Sequence, residues 1–439
     1  MTFFSIFFFF FVIQSNIYAQ EGAKKELGLD EAVNLALAHN LNLKKSDIDI
    51  AASGYSEKNI WMELFPTINA TLRTGISSPL FSGNGFELND KTITNRAGLS
   101  INLGLNAGLP FLINNIRLAH QANLLKYEDA RRQVSIQITK RFFSLLAEKN
   151  NLLLLEEVLN LAQRQFERNE VAFRNGLVRE LNVIQSRLSV ENARYNLSAA
   201  NTAYINNMGD FFAALGISSD DHISLLGEVK IIKINADADA LISGNLPGRP
   251  DIASAKREIE RLENARKQSF FQSRAPSLSL SMDWGMSKFN PFTDSFSASA
   301  NLSIPIDPWI PGTSREQTVR KADDAIEKAK LDLSITEDSA KTQIRSLCSQ
   351  LANSWTSIEI ARLGLEAAQI SYQLTEQGFR SGTVESLVLE DARNNLASAR
   401  QRLLQTELSY FNMILDLSTA INMDWKNLIE TFGVPSEKE

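Results

Sequence analysis

Apolar residues return every seven positions through two long stretches of the chain. Ile138, Leu145, Leu152, Leu159, Phe166 and Phe173 form one column, and Ile344, Leu351, Ile358, Leu365, Tyr372 and Phe379 form another at a constant offset. Gly176 and Gly382 keep that offset, and beyond them Val183, Val190, Leu197, Tyr204 and Phe211 superpose on Leu389, Leu396, Leu403, Tyr410 and Leu417, with Arg194 on Arg400. So regular an offset marks a tandem duplication. A strict seven-residue column keeps one face of a helix turned toward a supercoiling partner, so each copy is expected to hold two long packed helices that meet at its glycine.

Breakers support the same reading. No proline lies between Pro110 and Pro247 or between Pro311 and Pro435, and no glycine between Phe111 and Asn175. That permits one unbroken helix of about 60 residues, about 90 Å at 1.5 Å per residue. The long helices are expected at about 111–215 and 313–420. The first run, counted from Arg117 to Phe173, is about one heptad shorter than the run from Arg315 to Phe379. A shorter helix opens each copy: Leu29-Asp30-Glu31-Ala32 places acids at a helix start leading toward Trp61, and Arg249-Pro250-Asp251 opens a helix running toward Phe271. These stop at Leu64-Phe65-Pro66 and Arg274-Ala275-Pro276.

After each stop the period changes from seven to two. Ile68, Ala70 and Leu72 oppose Asn69, Thr71 and Arg73, while Leu99, Ile101, Leu103 and Leu105 oppose Ser100, Asn102, Gly104 and Asn106. In the second copy Leu278, Leu280, Met282 and Trp284 oppose Ser277, Ser279, Ser281 and Asp283, and Phe296, Ala298, Ala300, Leu302 and Ile304 oppose Ser297, Ser299, Asn301 and Ser303. Strands are expected at about 66–76, 97–109, 276–286 and 295–305. Turn-rich loops join each pair, Ser82-Gly83-Asn84-Gly85 and Asn290-Pro291, and each pair ends at a proline, Pro110 or Pro305.

An apolar face backed by Ser, Asn, Gly and Thr fits strands with lipid outside and water inside, and it also fits a water-facing sheet packed on helices. Four strands cannot close a barrel, and an open edge in hydrocarbon leaves amide groups unsatisfied. The membrane reading therefore needs several chains to share one barrel, and three copies would supply twelve strands around an aqueous lumen.

Composition narrows the function classes. The 439 residues are 44% hydrophobic and 22% charged with a net charge of −6, so a nucleic-acid partner has little electrostatic support. Phe3 to Ile13 is rich in phenylalanine and leads to Ile17-Tyr18-Ala19, which reads as a secretory signal at 1–19, although no Lys or Arg precedes the run. The rest divides into a first repeat at 20–226, a packed connector at 227–247, a second repeat at 248–424 and a loose polar tail at 425–439. Cys348 stands alone, so packing must hold the fold. His39, His120 and His222 are scattered, and no phosphate loop, dinucleotide fingerprint, nucleophile elbow or zinc-protease helix is present. An enzyme is not expected, nor a metal or cofactor.

The twin entries Leu29-Asp30-Glu31-Ala32 with Leu64-Phe65-Pro66 and Arg249-Pro250-Asp251 with Ala275-Pro276-Ser277 occur in order with the twin turns Phe173-Arg174-Asn175-Gly176-Leu177-Val178 and Phe379-Arg380-Ser381-Gly382-Thr383-Val384. On these residues the chain resembles the TolC-like outer-membrane efflux proteins over nearly its whole mature length. The resemblance implies a mainly α fold with a β-barrel part: a duplicated helix-strand-strand-helix-helix unit, assembled as a homotrimer with a twelve-stranded outer-membrane barrel continued by a periplasmic α-helical barrel. It implies a passive exit duct of a tripartite efflux or type I secretion system, opened at its periplasmic tip by an adaptor protein and energised by an inner-membrane pump.

By the same resemblance Gly176, Leu177, Val178, Gly382, Thr383 and Val384 form the adaptor-docking tips. Asn182, Val388 and Asp391 fall at gate positions, the acids Glu385 and Glu390 lie near Asp391, and Arg179 is a further gate candidate. Asn182 stands where members with a tip aspartate carry an acid, and Val388 stands at an acidic constriction position. Under threefold symmetry any one of the three acids would become a ring favouring cations. Arg179, Arg187, Arg380 and Arg393 are candidate partners for these acids across neighbouring tip helices. A reading from another class is a secreted or surface coiled-coil scaffold or adhesin with a soluble β head, which would explain the signal and the heptads equally well.

Overall fold

The computed structural model describes residues 25–77, 92–217, 223–227, 231–289 and 292–434. The expected signal segment, both strand-joining loops and His222 lie outside the described residues.

In chain order the elements are β1 (Lys25–Leu27), α1 (Leu29–His39), α2 (Leu41–Lys58), β2 (Thr67–Ser77), β3 (Thr92–Asn106), α3 (Leu109–Arg174), α4 (Glu180–Leu215), β4 (Ile223–Leu225), β5 (Lys233–Ile234), α5 (Ala238–Asn245), α6 (Pro250–Arg274), β6 (Ser277–Phe289), β7 (Phe292–Ser303), α7 (Ser314–Arg380), α8 (Ser386–Ala420), α9 (Trp425–Phe432) and β8 (Gly433–Val434). Short 3-10 turns lie at Ile60–Leu64, Leu246–Gly248 and Asp307–Trp309. The chain divides into two compact units, Met1–Ala38 with Arg141–Val229, and His39–Lys140 with Lys230–Glu439.

In the first unit the heptad column does what its spacing predicts. Ile138 lies just outside this unit, but Leu145, Val190 and Phe211 are all buried. Val190 and Ala193 of α4 close on Ala162 of α3, with Val158, Leu159 and Phe166 packed around them. Small residues at this contact let the two backbones approach. Phe142 and Phe211 meet at 6.3 Å between ring centroids, and β1 runs parallel to β4 with Leu27 and Leu225 buried beside each other.

The second unit repeats the hairpin with α7 and α8. Ile344, Leu351 and Ile358 pack with Tyr410, Ile414 and Leu417, and the connector contributes Ile234 and Leu241 to the same cluster. Tyr410 is fully buried, and its hydroxyl accepts from the Ile234 amide at 2.8 Å and donates to the Ile232 carbonyl at 3.2 Å. That satisfies the phenol and ties the connector to the hairpin. Its counterpart Tyr204 is only half-buried, so the duplicated column is deeper in the second copy.

The four long strands form one antiparallel sheet in the order β2-β3-β6-β7. Its central seam joins the two repeats, Ile101 opposite Met282 and Leu99 opposite Trp284. The strands span 11, 15, 13 and 12 residues, long enough to cross a hydrocarbon layer when tilted. Among the described residues β2 and β7 each have one strand neighbour, so both outer edges are open.

Four expectations need correction. The tail is not loose: α9 opens at Asp424, whose carboxylate accepts from the Lys426 amide, and it places Leu428 in the hairpin core. Pro110 does not close the first strand pair, because β3 ends at Asn106 and Pro110 sits in the first turn of α3. There its missing N–H has no helical acceptor to lose. The missing heptad disappears with it: α3 starts at Leu109 rather than Arg117, and the two long helices have 66 and 67 residues. Finally, the entry helix of the first copy breaks at Asn40, whose side chain caps α2 by accepting from Asn42 and Leu43 amides at 2.9 and 3.3 Å.

Candidate functional site

Each hairpin turns through the same backbone device. At the end of α3 the Gly176 amide donates to the Phe173 carbonyl and the Leu177 amide to the Ala172 carbonyl, at 2.9 and 2.8 Å. At the end of α7 the Gly382 amide donates to Phe379 and the Thr383 amide to Gly378, at 3.1 and 2.9 Å. Both pairs satisfy helix-end carbonyls only if the pivot residue is left-handed, and Gly176 and Gly382 have φ of 69° and 76°. Most side chains resist that conformation and glycine does not.

The two turns differ in how they are reinforced. Thr383 Oγ1 and Ser381 Oγ both donate to the Gly378 carbonyl at 3.0 Å. Gly378 also lets Val384 fold back over the turn, since a Cβ at 378 would lie 2.6 Å from Val384 Cγ2. The equivalent residue of the first copy is Ala172, and Leu177 there is exposed to solvent.

The residues assigned to a gate from the sequence lie just past these turns, immediately before or within the first two turns of α4 and α8. Arg179 and Glu385 are the extended residues that precede α4 and α8. The Asn182 carbonyl accepts from Asn169 Nδ2 at 3.3 Å and Ser186 Oγ at 2.9 Å, inside a polar patch where Gln165 Nε2 donates to Asn169 Oδ1 at 3.1 Å. Gln165 and Asn169 are buried, and periodicity could not have flagged them. On α8, Leu389, Ala392 and Arg393 are buried while Val388 and Asp391 face outward. Burial raises the Glu390 carboxyl above its ordinary range; Arg393 opposes this and Asp391 adds to it. Asp391, next in sequence, is exposed to solvent.

One of the expected arginine pairings is corrected, that of Arg380, while Arg393 does act on the charge of Glu390. Arg380 binds Glu376 one turn back on its own helix at 2.8 Å instead of a gate acid, and Arg174 likewise binds Glu170 at 2.9 Å. Such exposed pairs contribute about 0–1 kcal/mol each and support the helix ends. Arg393 is buried within its own subunit.

The sheet carries the other half of the site. On one face Ile68, Leu72, Phe296 and Leu302 are between 62% and 78% exposed, so large apolar side chains stand on an uncovered surface. The other face is polar, with Ser, Thr and Asn beside the charged Arg73, Arg96 and Asp283, and the Ser281 and Ser299 hydroxyls meet at 2.7 Å across β6 and β7. No described helix is long and apolar enough to cross a membrane, and that finding does not bear on the sheet. No group of three or more His, Cys, Asp or Glu among the described residues is placed to hold a metal.

Comparison with known proteins agrees with this geometry. The family model for outer membrane efflux proteins matches twice, at residues 32–216 and 241–423, once on each repeat. The toluene efflux pump outer membrane protein TtgC of Pseudomonas putida is 25% identical over 417 residues, covering 90% of this chain and 83% of the relative. The CmeC outer membrane channel of Campylobacter jejuni superposes with a TM-score of 0.73 at 18% identity, covering 93% of this chain and 90% of that one. The MtrE outer membrane channel of Neisseria gonorrhoeae, in its open state, gives 0.70 at 14% identity, covering 90% and 89%. The chain belongs to the outer membrane efflux protein family; it is an outer-membrane efflux protein and not a surface scaffold with a soluble β head.

Proposed function

We propose that three copies assemble into a channel that serves as the passive exit duct of a tripartite efflux system, docked at its hairpin tips by a periplasmic adaptor and driven by an inner-membrane pump. The observation that carries this reading is the sheet: four strands with an uncovered apolar face and two open edges. Each unsatisfied amide in hydrocarbon costs several kcal/mol, so neighbouring sheets must complete the cylinder.

The helices make the same demand. Leu177, Leu181, Ile184, Leu188 and Tyr195 are exposed at alternating four- and three-residue steps along the first tip and α4, apart from one step taken by Glu191. Ile360, Leu363, Ile370 and Leu374 form a similar exposed stripe on α7. These are second coiled-coil seams, distinct from the one buried within each hairpin, and they fit a helical neighbour.

In this assembly Gly176, Leu177, Val178, Gly382, Thr383 and Val384 offer docking points to the adaptor, and Asp391 repeats around the threefold axis as a ring that favours cations. Replacing Asp391 with Ala should lower the cation preference of the channel in planar bilayers. Unchanged reversal potentials under a salt gradient would remove Asp391 from the pore.

A further inference from the structure

The polar face of the sheet holds a feature that an inert conduit does not require. Arg73 of β2 and Arg96 of β3 are direct cross-strand partners in the antiparallel register. Both share the face of Asn69, Thr71, Gly98 and Ser100, both are exposed, and neither makes an ion pair with another described residue. Like charges placed directly opposite each other oppose strand pairing, so a counter-charge beside the two guanidinium groups would relieve the pair.

Beside the pair the same face is hollowed out. The adjacent row reads Thr71, Gly98, Gly285, Ser295, so two glycines face each other where other rows carry side chains. They leave a recess of about 340 Å³ bordered by Arg96 and by the hydroxyl residues Thr71, Ser100, Ser295 and Ser297. Gly98 is needed for it: a Cβ there would lie 3.3 Å from Thr71 Oγ1 and 3.2 Å from the Trp284 carbonyl. Asp283 closes the far wall, and Asp294 pairs with Met286 and so belongs to the opposite face.

We propose that the Arg73–Arg96 pair, with this recess, is a binding site for a small oxyanion, a phosphate or carboxylate, on the water-filled face of the sheet. Guanidinium groups match both classes through paired N–H donors, and the neighbouring hydroxyls supply further donors. The assignment to the channel lumen rests on the trimeric reading above; the binding site itself rests on the register within one chain.

The test is calorimetric titration of the detergent-purified protein with inorganic pyrophosphate at low salt. Saturable binding is expected, weakened at least tenfold in Arg73→Gln and in Arg96→Gln and unchanged in the same-face control Asn69→Gln. Binding that is absent, or equal in the arginine variants and the control, overturns the proposal. Should a variant fail to fold, the wild type decides alone: its melting temperature should rise with pyrophosphate relative to sodium chloride of equal ionic strength, and an equal melting temperature overturns the site. Stoichiometry measured on the same sample separates the two claims. A trimer that ignores pyrophosphate sinks only the anion site, and a monomer that binds it through both arginines sinks only the trimer.

Discussion

Replacing Gly382 with valine is expected to abolish export while leaving the protein inserted in the outer membrane. At φ of 76° a β-branched residue is strained by about 1–2 kcal/mol, and relief requires breaking the paired bonds from Gly382 and Thr383 to the end of α7. Gly176→Pro should be at least as severe, because proline fixes φ near −65° and removes the amide that donates to Phe173. The sheet, and the α7–α8 core around Ile344 and Tyr410, do not include these glycines, so insertion and assembly should persist. Efflux of a transported dye in cells, read beside the amount of heat-modifiable protein in the outer membrane, checks this. Normal export from either variant would show that the tips have been misassigned.

Arg249→Ala is expected to destabilise the second unit by about 2–3 kcal/mol through loss of a buried, multiply bonded guanidinium. Arg249 precedes α6, and its Nη1 donates to the Ala420 carbonyl at 2.7 Å, one of the carbonyls at the end of α8 that has no helical donor. Its Nη2 reaches Asp251 at 2.7 Å and Gln343 of α7 at 3.2 Å, so one side chain joins the start of α6 to both helices of the hairpin. The same contact holds the Asp251 carboxyl below its usual range, the hydrogen bond being the larger cause and its charge attraction a further one, against the opposing effect of burial. A depressed folded value means this stabilisation is present above the ordinary carboxylate range and fades as pH falls through the folded value. Thermal melts of the detergent-solubilised protein should show the wild type and Arg249→Ala converging in acid. A variant with wild-type melting at neutral pH would show that Arg249 is not a tie.

The parts that periodicity reveals are the parts built by repetition. The seven-residue columns and the two-residue alternation report directly which side of an element meets apolar surroundings, so the hairpins and the sheet were legible from residues such as Ile344, Tyr410, Leu99 and Trp284. Gly176 and Gly382 were legible because they interrupt those columns. The short elements were not. α9 has eight residues, too few to establish a period, and Leu428 gains its meaning only from the cluster it joins.

Pro110 read as a stop because its position relative to the helix start decides whether it breaks or begins the helix. The partners of Arg380 and Arg249 depended on geometry, as did the buried Gln165 and Asn169 beneath the first tip. The placement of Arg73 opposite Arg96 needed the strand register, which the sequence pattern leaves free to slide by two residues without changing faces.

The central claim is that the sheet of one chain is an unfinished part of a shared barrel. Mass measurement of the intact protein purified in detergent, with and without heating, tests it most directly. A trimer that dissociates only on heating is predicted; a folded monomer that stays soluble when detergent is withdrawn would contradict it.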